Sequence, residues 1–217
     1  MHLAPSILLV GAALAAPTAP RTRLSKMVAR RPAVAAKASE SVISGGGTAP
    51  FGQYWDPLKL SSTAEQNTVK LYREAELTHG RVCMLGALGF LVQEKFHPLF
   101  GGDIDGPAIK HFEKICDKAP DFWYPVLLSI AVAEIGRARL GWVDPADTPY
   151  PFNLREGYEP GNLGFDPLGL YPKDAAGQLN LRNKELNNGR LAMLATAGFV
   201  AQELINGKGI VDNLTSK

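Results

Sequence analysis

Three apolar runs stand out along the chain, each of 12 residues without Asp, Glu, Lys or Arg: residues 82–93, 122–133 and 191–202. Their turns show no polar face, which favours helices embedded in apolar surroundings. With the flanking residues included, we predict helices at about 68–96, 121–141 and 180–206. Twelve residues of helix extend about 18 Å, which is short of the roughly 30 Å hydrocarbon core of a bilayer. Hydropathy alone therefore also allows the buried helices of a soluble bundle.

The first and third runs belong to an internal repeat. ELTHGRVCMLGALGFLVQE at residues 76–94 matches ELNNGRLAMLATAGFVAQE at 185–203 in ten of nineteen positions without a gap. WDPLKL at 55–60 precedes the first copy, and FDPLGL at 165–170 precedes the second. Because proline disfavours helix at the residue before it, each unit is predicted to run from turn to loop to helix.

Each copy opens with a charged pair at a spacing of five, Glu76 with Arg81 and Glu185 with Arg190. If both helices cross a membrane with one helix between them, they run in the same direction and equivalent residues share a depth. Glu76 would then pair with Arg190, and Glu185 with Arg81, which cancels four charges inside the bilayer. This pairing favours an all-α membrane protein with three transmembrane helices. The first and third helices would cross, related by a pseudo-two-fold axis along the membrane normal.

Small residues on the apolar turns support a close crossing, because they let helix backbones approach each other. They are Gly80, Gly86, Ala87 and Gly89 in the first copy, and Gly189, Ala192, Ala195 and Gly198 in the second. A soluble helix pair could use the same residues, but it would normally show a polar face along its length.

Two more polar residues in each copy are spaced by 14 positions, His79 with Gln93 and Asn188 with Gln202. Fourteen residues are close to four helical turns, so the two side chains share one side of the helix. One interpretation is that these side chains form hydrogen bonds between helices and bind no ligand. Nitrogen and oxygen donors at matched positions also suit the axial site of a magnesium held in a chlorophyll macrocycle. We expect magnesium only as part of chlorophyll.

The distribution of charge changes near residue 40. Residues 1–39 contain six Lys or Arg and no Asp or Glu, whereas the remainder carries 17 basic and 21 acidic residues. The net charge of −4 in that remainder excludes a basic nucleic-acid binder. An apolar stretch at 7–16 and an arginine-rich stretch after it are typical of a bipartite signal and transit leader, which we assign to residues 1–40. The alternative is a disordered basic tail; residues 41–217 form the predicted domain.

The motifs E-x-x-H-x-R at 76–81 and E-x-x-N-G-R at 185–190, with GFDPLGL at 164–170, resemble those of the three-helix light-harvesting chlorophyll-binding antenna proteins. The resemblance covers about residues 50–214. The two-part leader and the segment ELNNGRLAML are similar to the red-lineage branch of that family. Members of this branch bind chlorophylls a and c with fucoxanthin, peridinin or related carotenoids.

The resemblance implies a set of axial chlorophyll ligands, to which the internal repeat adds Gln93. The full set is Glu76, His79, Gln93, Glu134, Glu185, Asn188 and Gln202. The resemblance also implies that Arg81 and Arg190 are the cross-paired arginines and that Arg137 neutralises Glu134. For the last pair, a surface ion pair at a helix end is the alternative.

The family also implies carotenoids beside the crossed helices, with their ends near the two Asp-Pro-Leu loops. The candidate loop residues are Trp55, Asp56, Phe165 and Asp166. A structural role without a bound carotenoid remains the alternative for these residues, because Asp-Pro is common in turns and aromatic residues anchor proteins at membrane interfaces.

The implied function is light harvesting: the protein would hold chlorophyll a, chlorophyll c and carotenoids and pass excitation energy to a photosystem. We expect a multi-pass protein in the thylakoid membrane of a secondary plastid. Its expected partners are a photosystem core, neighbouring antenna subunits and thylakoid lipids, and not nucleic acid. Residues 94–100 and the interhelical loop resemble antennae of photosystem I, which favours that photosystem.

Three other functions were weighed. An enzyme is not expected, because the sequence has no phosphate-binding glycine loop and no nucleophile placed with a base. A small repeat-built transporter would also carry intramembrane charges, but charges that cancel in pairs leave little aqueous lining. Within the family, photoprotective quenching of excitation energy remains the alternative to harvesting.

Overall fold

The computed structural model describes residues 56–96, 98–147 and 153–215. The leader assigned to residues 1–40 and the candidate loop residue Trp55 lie outside the described residues. Regular secondary structure within those ranges is helical, apart from one isolated antiparallel bridge between Trp142 and Leu154. The all-α part of the sequence prediction is therefore confirmed.

Three long helices and three short ones make up the part of the fold that the structure describes. The long helices are α2 (Gln66–Gln93), α4 (Trp123–Gly141) and α5 (Ala175–Asn206). The short helices are α1 (Leu60–Thr63), α3 (His111–Lys118) and α6 (Ile210–Thr215). Short 3-10 segments at Leu99–Gly102, Ala108–Lys110 and Pro120–Phe122 lie between α2 and α4.

The long helices agree with the three predicted ones within a few residues, with the largest difference at the start of α5. The prediction began near residue 180, whereas α5 begins at Ala175. Asp174 caps this end, since its carboxylate accepts a hydrogen bond of 2.6 Å from the backbone N–H of Gly177. At the other end, Gly207 adopts a left-handed conformation and stops the helix.

Helices α2 and α5 cross where two glycines meet. A Cβ atom on Gly80 would lie 3.0 Å from the Cα atom of Gly189, and a Cβ atom on Gly189 would lie 3.0 Å from the Cα atom of Gly80. Real Cβ atoms rarely come so close to backbone, so the crossing requires glycine on both helices. The positions are equivalent in the repeat, which makes the crossing point symmetric in sequence.

Helix α4 stands apart from the crossed pair and leaves its apolar side chains exposed around its circumference. The exposed residues include Leu127, Leu128, Ile130, Val132, Ile135 and Leu140. Its polar link to the pair runs through Arg137, which reaches Glu74 on α2. Within the described residues, no helix combines the length and apolar character required of a membrane span.

Candidate functional site

The two cross-helix ion pairs expected from the repeat are present at the crossing. The Nε atom of Arg81 on α2 lies 2.7 Å from Oε1 of Glu185 on α5. The Nε atom of Arg190 lies 2.7 Å from Oε1 of Glu76. The equal distances follow from equal positions in the repeat, and each helix supplies one acid and one base.

The pairs differ in their further partners. Glu76 also accepts a hydrogen bond of 2.9 Å from Arg73, one turn earlier on the same helix. Glu185 has Arg81 as its partner, and Arg81 uses its second nitrogen to bond the carbonyl oxygen of Gly161 at 2.7 Å. Glu76 therefore has two arginines, while Glu185 depends on one.

A buried carboxylate that the sequence analysis missed links α2, α4 and the loop before α5. Glu74 is only 2% exposed and accepts hydrogen bonds from Arg137 at 3.0 Å, Tyr158 at 3.2 Å and the backbone N–H of Gly161 at 2.7 Å. Burial raises the pKa of Tyr158 to about 12, and the charge of Glu74 acts in the same direction. The phenol thus remains a neutral donor to Glu74 at physiological pH.

The loop reaches Glu74 because Gly161 permits a close approach. Its φ of +80° suits glycine, and a Cβ atom there would lie 2.5 Å from the Cδ1 atom of Leu77. The Gly161 peptide donates to Glu74 and accepts from Arg81. One peptide group therefore connects the buried carboxylate with the ion pair at the crossing.

The ion-paired side chains near the crossing carry equal numbers of positive and negative charges. Four carboxylates and four guanidinium groups join the paired set: Glu74, Glu76, Glu134, Glu185, Arg73, Arg81, Arg137 and Arg190. An unpaired charge in apolar surroundings is costly, whereas a neutral set of this kind is tolerated. The sequence analysis found six of these residues and missed Arg73 and Glu74.

On α4, Glu134 accepts two bonds from Arg137 on a single oxygen, Oε2, from Nε at 3.0 Å and from Nη2 at 2.8 Å. Oε1 has no partner among the described residues, and the Glu134 side chain is 52% exposed. The i,i+3 pair predicted from sequence is therefore present, with one carboxylate oxygen left for another group.

His79 lies exposed on α2, three residues after Glu76, and its Nδ1 atom is 2.7 Å from the carbonyl oxygen of Ala75. A carbonyl can only accept, so Nδ1 carries the proton. When the ring is neutral, this leaves the lone pair on Nε2, which is the form of histidine that binds a metal.

The amide candidates occupy different surroundings. Asn188 and Gln93 are exposed, and Gln202 is half-buried. The Nε2 atom of Gln202 is buried without a hydrogen-bond partner in the described part of the chain. A buried amide donor without a partner needs explanation, and a ligand beside α5 would supply one.

The two Asp-Pro-Leu loops share one hydrogen-bonding pattern. The carboxylate of Asp56 accepts from the backbone N–H groups of Leu60 at 3.0 Å and Ser61 at 2.9 Å. Asp166 accepts from the equivalent groups of Leu170 at 3.0 Å and Tyr171 at 2.9 Å. These bonds hold the pKa of both carboxyl groups below the usual value, with the Ser61 hydroxyl making the largest contribution at Asp56 and the Tyr171 N–H at Asp166.

Apolar side chains beside these loops are left uncovered. Phe165 is 85% exposed, and Leu58 and Leu168 are nearly as open. The aspartates thus shape the loops, while the neighbouring apolar residues form the surface available to a ligand.

A cavity of about 1280 Å³ lies between residues 66–84 of α2, residues 181–188 of α5 and the loop at 157–166. Phe165, Asp166, Glu185 and Asn188 all line it. It is large enough for part of an extended apolar molecule. The structure therefore brings together candidate residues of both proposed kinds, carotenoid loop and axial ligand.

A second set of missed residues lies at the far ends of the long helices. Glu94, which ends the first copy of the repeat, accepts from the backbone N–H groups of Ile210 and Val211 at the start of α6. Glu203, which ends the second copy, accepts from the N–H of Ile109 at 2.8 Å. The two glutamates occupy equivalent positions in the repeat and are identical in both copies. That identity is the sequence signal that could have marked them as functional.

Comparisons with known proteins support the family resemblance that the repeated motifs indicate. A family model described as "Chlorophyll A-B binding protein" matches residues 39–204. The chain is 49% identical over 174 residues to light-harvesting complex stress-related protein 1 of Chlamydomonas reinhardtii, covering 78% of this chain and 67% of that protein. It spans about two thirds of the length of a second stress-related protein of this alga, number 3.2, with 66% of it covered.

Two other relatives extend the comparison. The chain is 47% identical over 166 residues to a fucoxanthin-chlorophyll a-c binding protein of Isochrysis galbana, covering 75% of this chain and 76% of the relative. It is 36% identical over 178 residues to a chlorophyll a-b binding protein of Petunia hybrida, covering 77% and 64%. The resemblance inferred from the motifs is thereby confirmed. The chain belongs to the chlorophyll A-B binding protein family of light-harvesting, pigment-binding proteins.

Proposed function

We propose that the protein is an antenna subunit that holds chlorophylls and carotenoids in a thylakoid membrane and passes excitation energy to a photosystem. The observation that carries this proposal is the exposed apolar surface of α4. Leu128, Val132 and Ile135 are each more than half exposed, and the helix is linked to the crossed pair through Arg137. Apolar surface on this scale needs a cover other than water, which lipid outside and pigment inside would provide.

Membrane insertion is part of the proposal. Helices α2 and α5 contain 28 and 32 residues, which correspond to about 42 and 48 Å. Both lengths exceed the roughly 30 Å hydrocarbon core. The charged residues of these helices can lie within the bilayer because they pair with each other across the crossing. The 19 residues of α4 extend about 28 Å. In this arrangement α2, α4 and α5 span the bilayer, and a pseudo-two-fold axis along its normal relates α2 to α5.

The proposed axial ligands of chlorophyll magnesium are six residues implied by the resemblance, together with Gln93 from the internal repeat. The six are Glu76, His79, Glu134, Glu185, Asn188 and Gln202. Their chemistry fits the group. The Nδ1 atom of His79 is engaged by the carbonyl oxygen of Ala75, which leaves Nε2 as the ring atom available to a metal, and Glu134 keeps a carboxylate oxygen free while Arg137 balances its charge. When bound, chlorophyll supplies an electronic transition in the visible range that exchanges energy with neighbouring pigments. The protein's part is to set ligation, spacing and orientation and to exclude water.

Carotenoids are proposed for the grooves beside the crossing, with the Asp56 and Asp166 loops near their ends. The cavity at the second loop and the exposed Phe165 side chain support this placement. The pigments proposed are chlorophyll a, chlorophyll c and a carotenoid such as fucoxanthin or peridinin. The relative from Isochrysis galbana carries fucoxanthin and chlorophylls a and c in its name, which supports this choice.

The proposed location is the thylakoid membrane of a secondary plastid. Relatives from algae and plants are named as chloroplastic proteins, and the composition of residues 1–40 suits a bipartite leader. The proposed partners are a photosystem core, with photosystem I favoured, together with neighbouring antenna subunits and thylakoid lipids. The absence of catalysis remains a proposal from the sequence.

A fluorescence excitation spectrum of the purified native complex tests the function. Emission is recorded from chlorophyll a while the excitation wavelength scans the carotenoid and chlorophyll c bands. We expect both bands to appear, because pigments at short, fixed separations transfer excitation. A complex that retains these pigments but shows neither band would contradict an antenna function. A protein without pigment would favour the transporter alternative.

Quenching is a second candidate, because two relatives at 49% identity are named as stress-related light-harvesting proteins. Fluorescence lifetimes of the complex at neutral and acidic pH separate the two roles. A lifetime that shortens strongly on acidification would favour quenching, and an unchanged long lifetime would favour harvesting.

A further inference from the structure

Glu74 is buried at the junction of three parts of the chain, and none of the proposed ligand roles includes it. Its two carboxylate oxygens accept three hydrogen bonds, Oε1 from Arg137 and Oε2 from Tyr158 and the N–H of Gly161. The position has no acidic counterpart in the second half, because the equivalent residue 109 positions later is Asn183. Glu74 therefore makes contacts that only the first half possesses, one to Arg137 on α4 and two to the loop before α5.

The donors of Arg137 are divided between two carboxylates. Its Nη1 atom bonds Glu74, while Nε and Nη2 both bond the same oxygen of Glu134. An arginine that faces one carboxylate normally makes two parallel hydrogen bonds, one to each oxygen. Here the guanidinium is held so that only Oε2 of Glu134 is used.

We infer that Glu74 is a positioning residue for the chlorophyll ligand Glu134, an inference that rests on the proposed function. By holding Nη1 of Arg137, Glu74 fixes the guanidinium plane and keeps Oε1 of Glu134 free as the axial ligand. Without the Glu74 charge, Arg137 turns to engage both oxygens of Glu134, and the ligand site closes. Glu74 touches no pigment in this account and acts through Arg137.

The test compares three variants of the full chain, each purified as its pigment complex from a plastid-expressing host. Glu134→Leu removes the proposed ligand, because leucine has no atom that can bind magnesium, and Glu74→Gln removes the charge that holds Arg137. Tyr158→Phe is the control, since it removes the 3.2 Å bond to Glu74 and leaves Arg137 untouched. Chlorophyll per chain and the absorption difference spectrum against the unsubstituted complex are measured for each.

We expect Glu134→Leu and Glu74→Gln to lose the same single chlorophyll and to give superimposable difference spectra. The double variant should lose nothing more, because both changes act on one site. Tyr158→Phe should keep the full pigment complement. A merely structural Glu74 would instead lower the yield of complex without changing pigment per chain or the spectrum, and that result would overturn the inference.

Two further outcomes separate this inference from the proposed function. If Glu134→Leu keeps every chlorophyll, the ligand assignment of Glu134 is wrong and the inference falls with it. If Glu134→Leu loses a pigment and Glu74→Gln does not, the inference alone is wrong. Should Glu74→Gln fail to assemble, Glu74→Asp retains the buried charge but draws back from Arg137. It must then show the same selective loss, and a full pigment complement in Glu74→Asp would refute the inference.

Discussion

Glu94 and Glu203 occupy equivalent positions 109 residues apart, and each holds the segment that follows the other one's helix. Glu94, just after α2, accepts backbone hydrogen bonds from the start of α6, which follows α5. Glu203, near the end of α5, accepts from Ile109, which follows α2. Each half of the repeat therefore contacts the other half at the far ends of the long helices as well as at the crossing. The fold is braced by reciprocal contacts at two levels.

The two caps predict unequal costs for the same substitution. Glu94 uses both oxygens, so Glu94→Gln turns an NH₂ group towards a backbone N–H, and we expect a loss of roughly 1–3 kcal/mol in unfolding free energy. Oε1 of Glu203 has no partner in the described part of the chain. Glu203→Gln can keep the bond to Ile109, so it should cost under about 1 kcal/mol. Thermal unfolding of the two purified complexes provides the measurement, and equal or reversed losses would contradict the cap geometry.

The crossed ion pairs also predict an asymmetry. Arg81→Leu leaves Glu185 without its arginine and removes the bond to Gly161, whereas Arg190→Leu leaves Glu76 still paired with Arg73. We expect Arg81→Leu to cost roughly 3 kcal/mol, the low end for breaking a buried pair, because these side chains are a third exposed without pigment. Arg190→Leu should cost less.

Yield of assembled complex at fixed expression measures the difference between the two arginine variants. Both should fall below the unsubstituted chain, with Arg81→Leu lower. Arg81→Lys serves as the matched control, since it keeps a positive charge beside Glu185 and leaves that proposed ligand in place. It should recover part of the loss. Identical yields from the two single variants would contradict the inequality of the pairs.

The glycine crossing predicts a position-specific effect of one methyl group. A Cβ atom on Gly80 meets the Gly189 backbone at 3.0 Å, whereas one on Gly198 meets no protein atom within 4 Å. We expect Gly80→Ala to destabilise the complex by about 1–3 kcal/mol through overpacking. Gly198→Ala is the control, because alanine improves helix propensity by up to about 1 kcal/mol. Chemical unfolding of both variants provides the comparison, and a tolerated Gly80→Ala would show that the helices do not touch there.

The Asp-Pro-Leu loops predict an acid transition. The folded-state pKa of Asp166 is lowered, so its contribution is complete above the ordinary value of 3.8 and declines as the pH falls through the lower folded value. Hydrogen exchange at the N–H groups of Leu170 and Tyr171 should therefore accelerate only below pH 3.8, after correction for intrinsic rates. In Asp166→Ala, which has no acceptor for either N–H, the exchange should be fast at every pH. Protection that survives in this variant would show that the carboxylate does not hold the loop.

The sequence repeat predicted the crossed pairs because a shared helical position requires only equal spacing. The same reasoning could not find Glu74, because its role depends on a loop that returns to α2 and contacts Glu74 through Tyr158 and Gly161. Asn183 occupies the equivalent position in the second half, so the repeat gave no signal there.

Glu94 and Glu203 were visible in the repeat as identities, but their function was not. A capping carboxylate is recognised by the chain segment whose N–H groups it accepts, and α6 and Ala108–Lys110 are too short to be predicted from periodicity. The start of α5 was placed late because Asp174 caps it from within an apparently irregular stretch.

The chlorophyll content of the native complex tests the central claim most directly. The protein is purified in mild detergent, its pigments are extracted, and chlorophyll and carotenoid are quantified per chain. The account predicts chlorophyll a with chlorophyll c and a fucoxanthin-type or peridinin-type carotenoid, and a loss of chlorophyll in His79→Leu and Glu134→Leu. A pure, folded protein that carries no tetrapyrrole would contradict it.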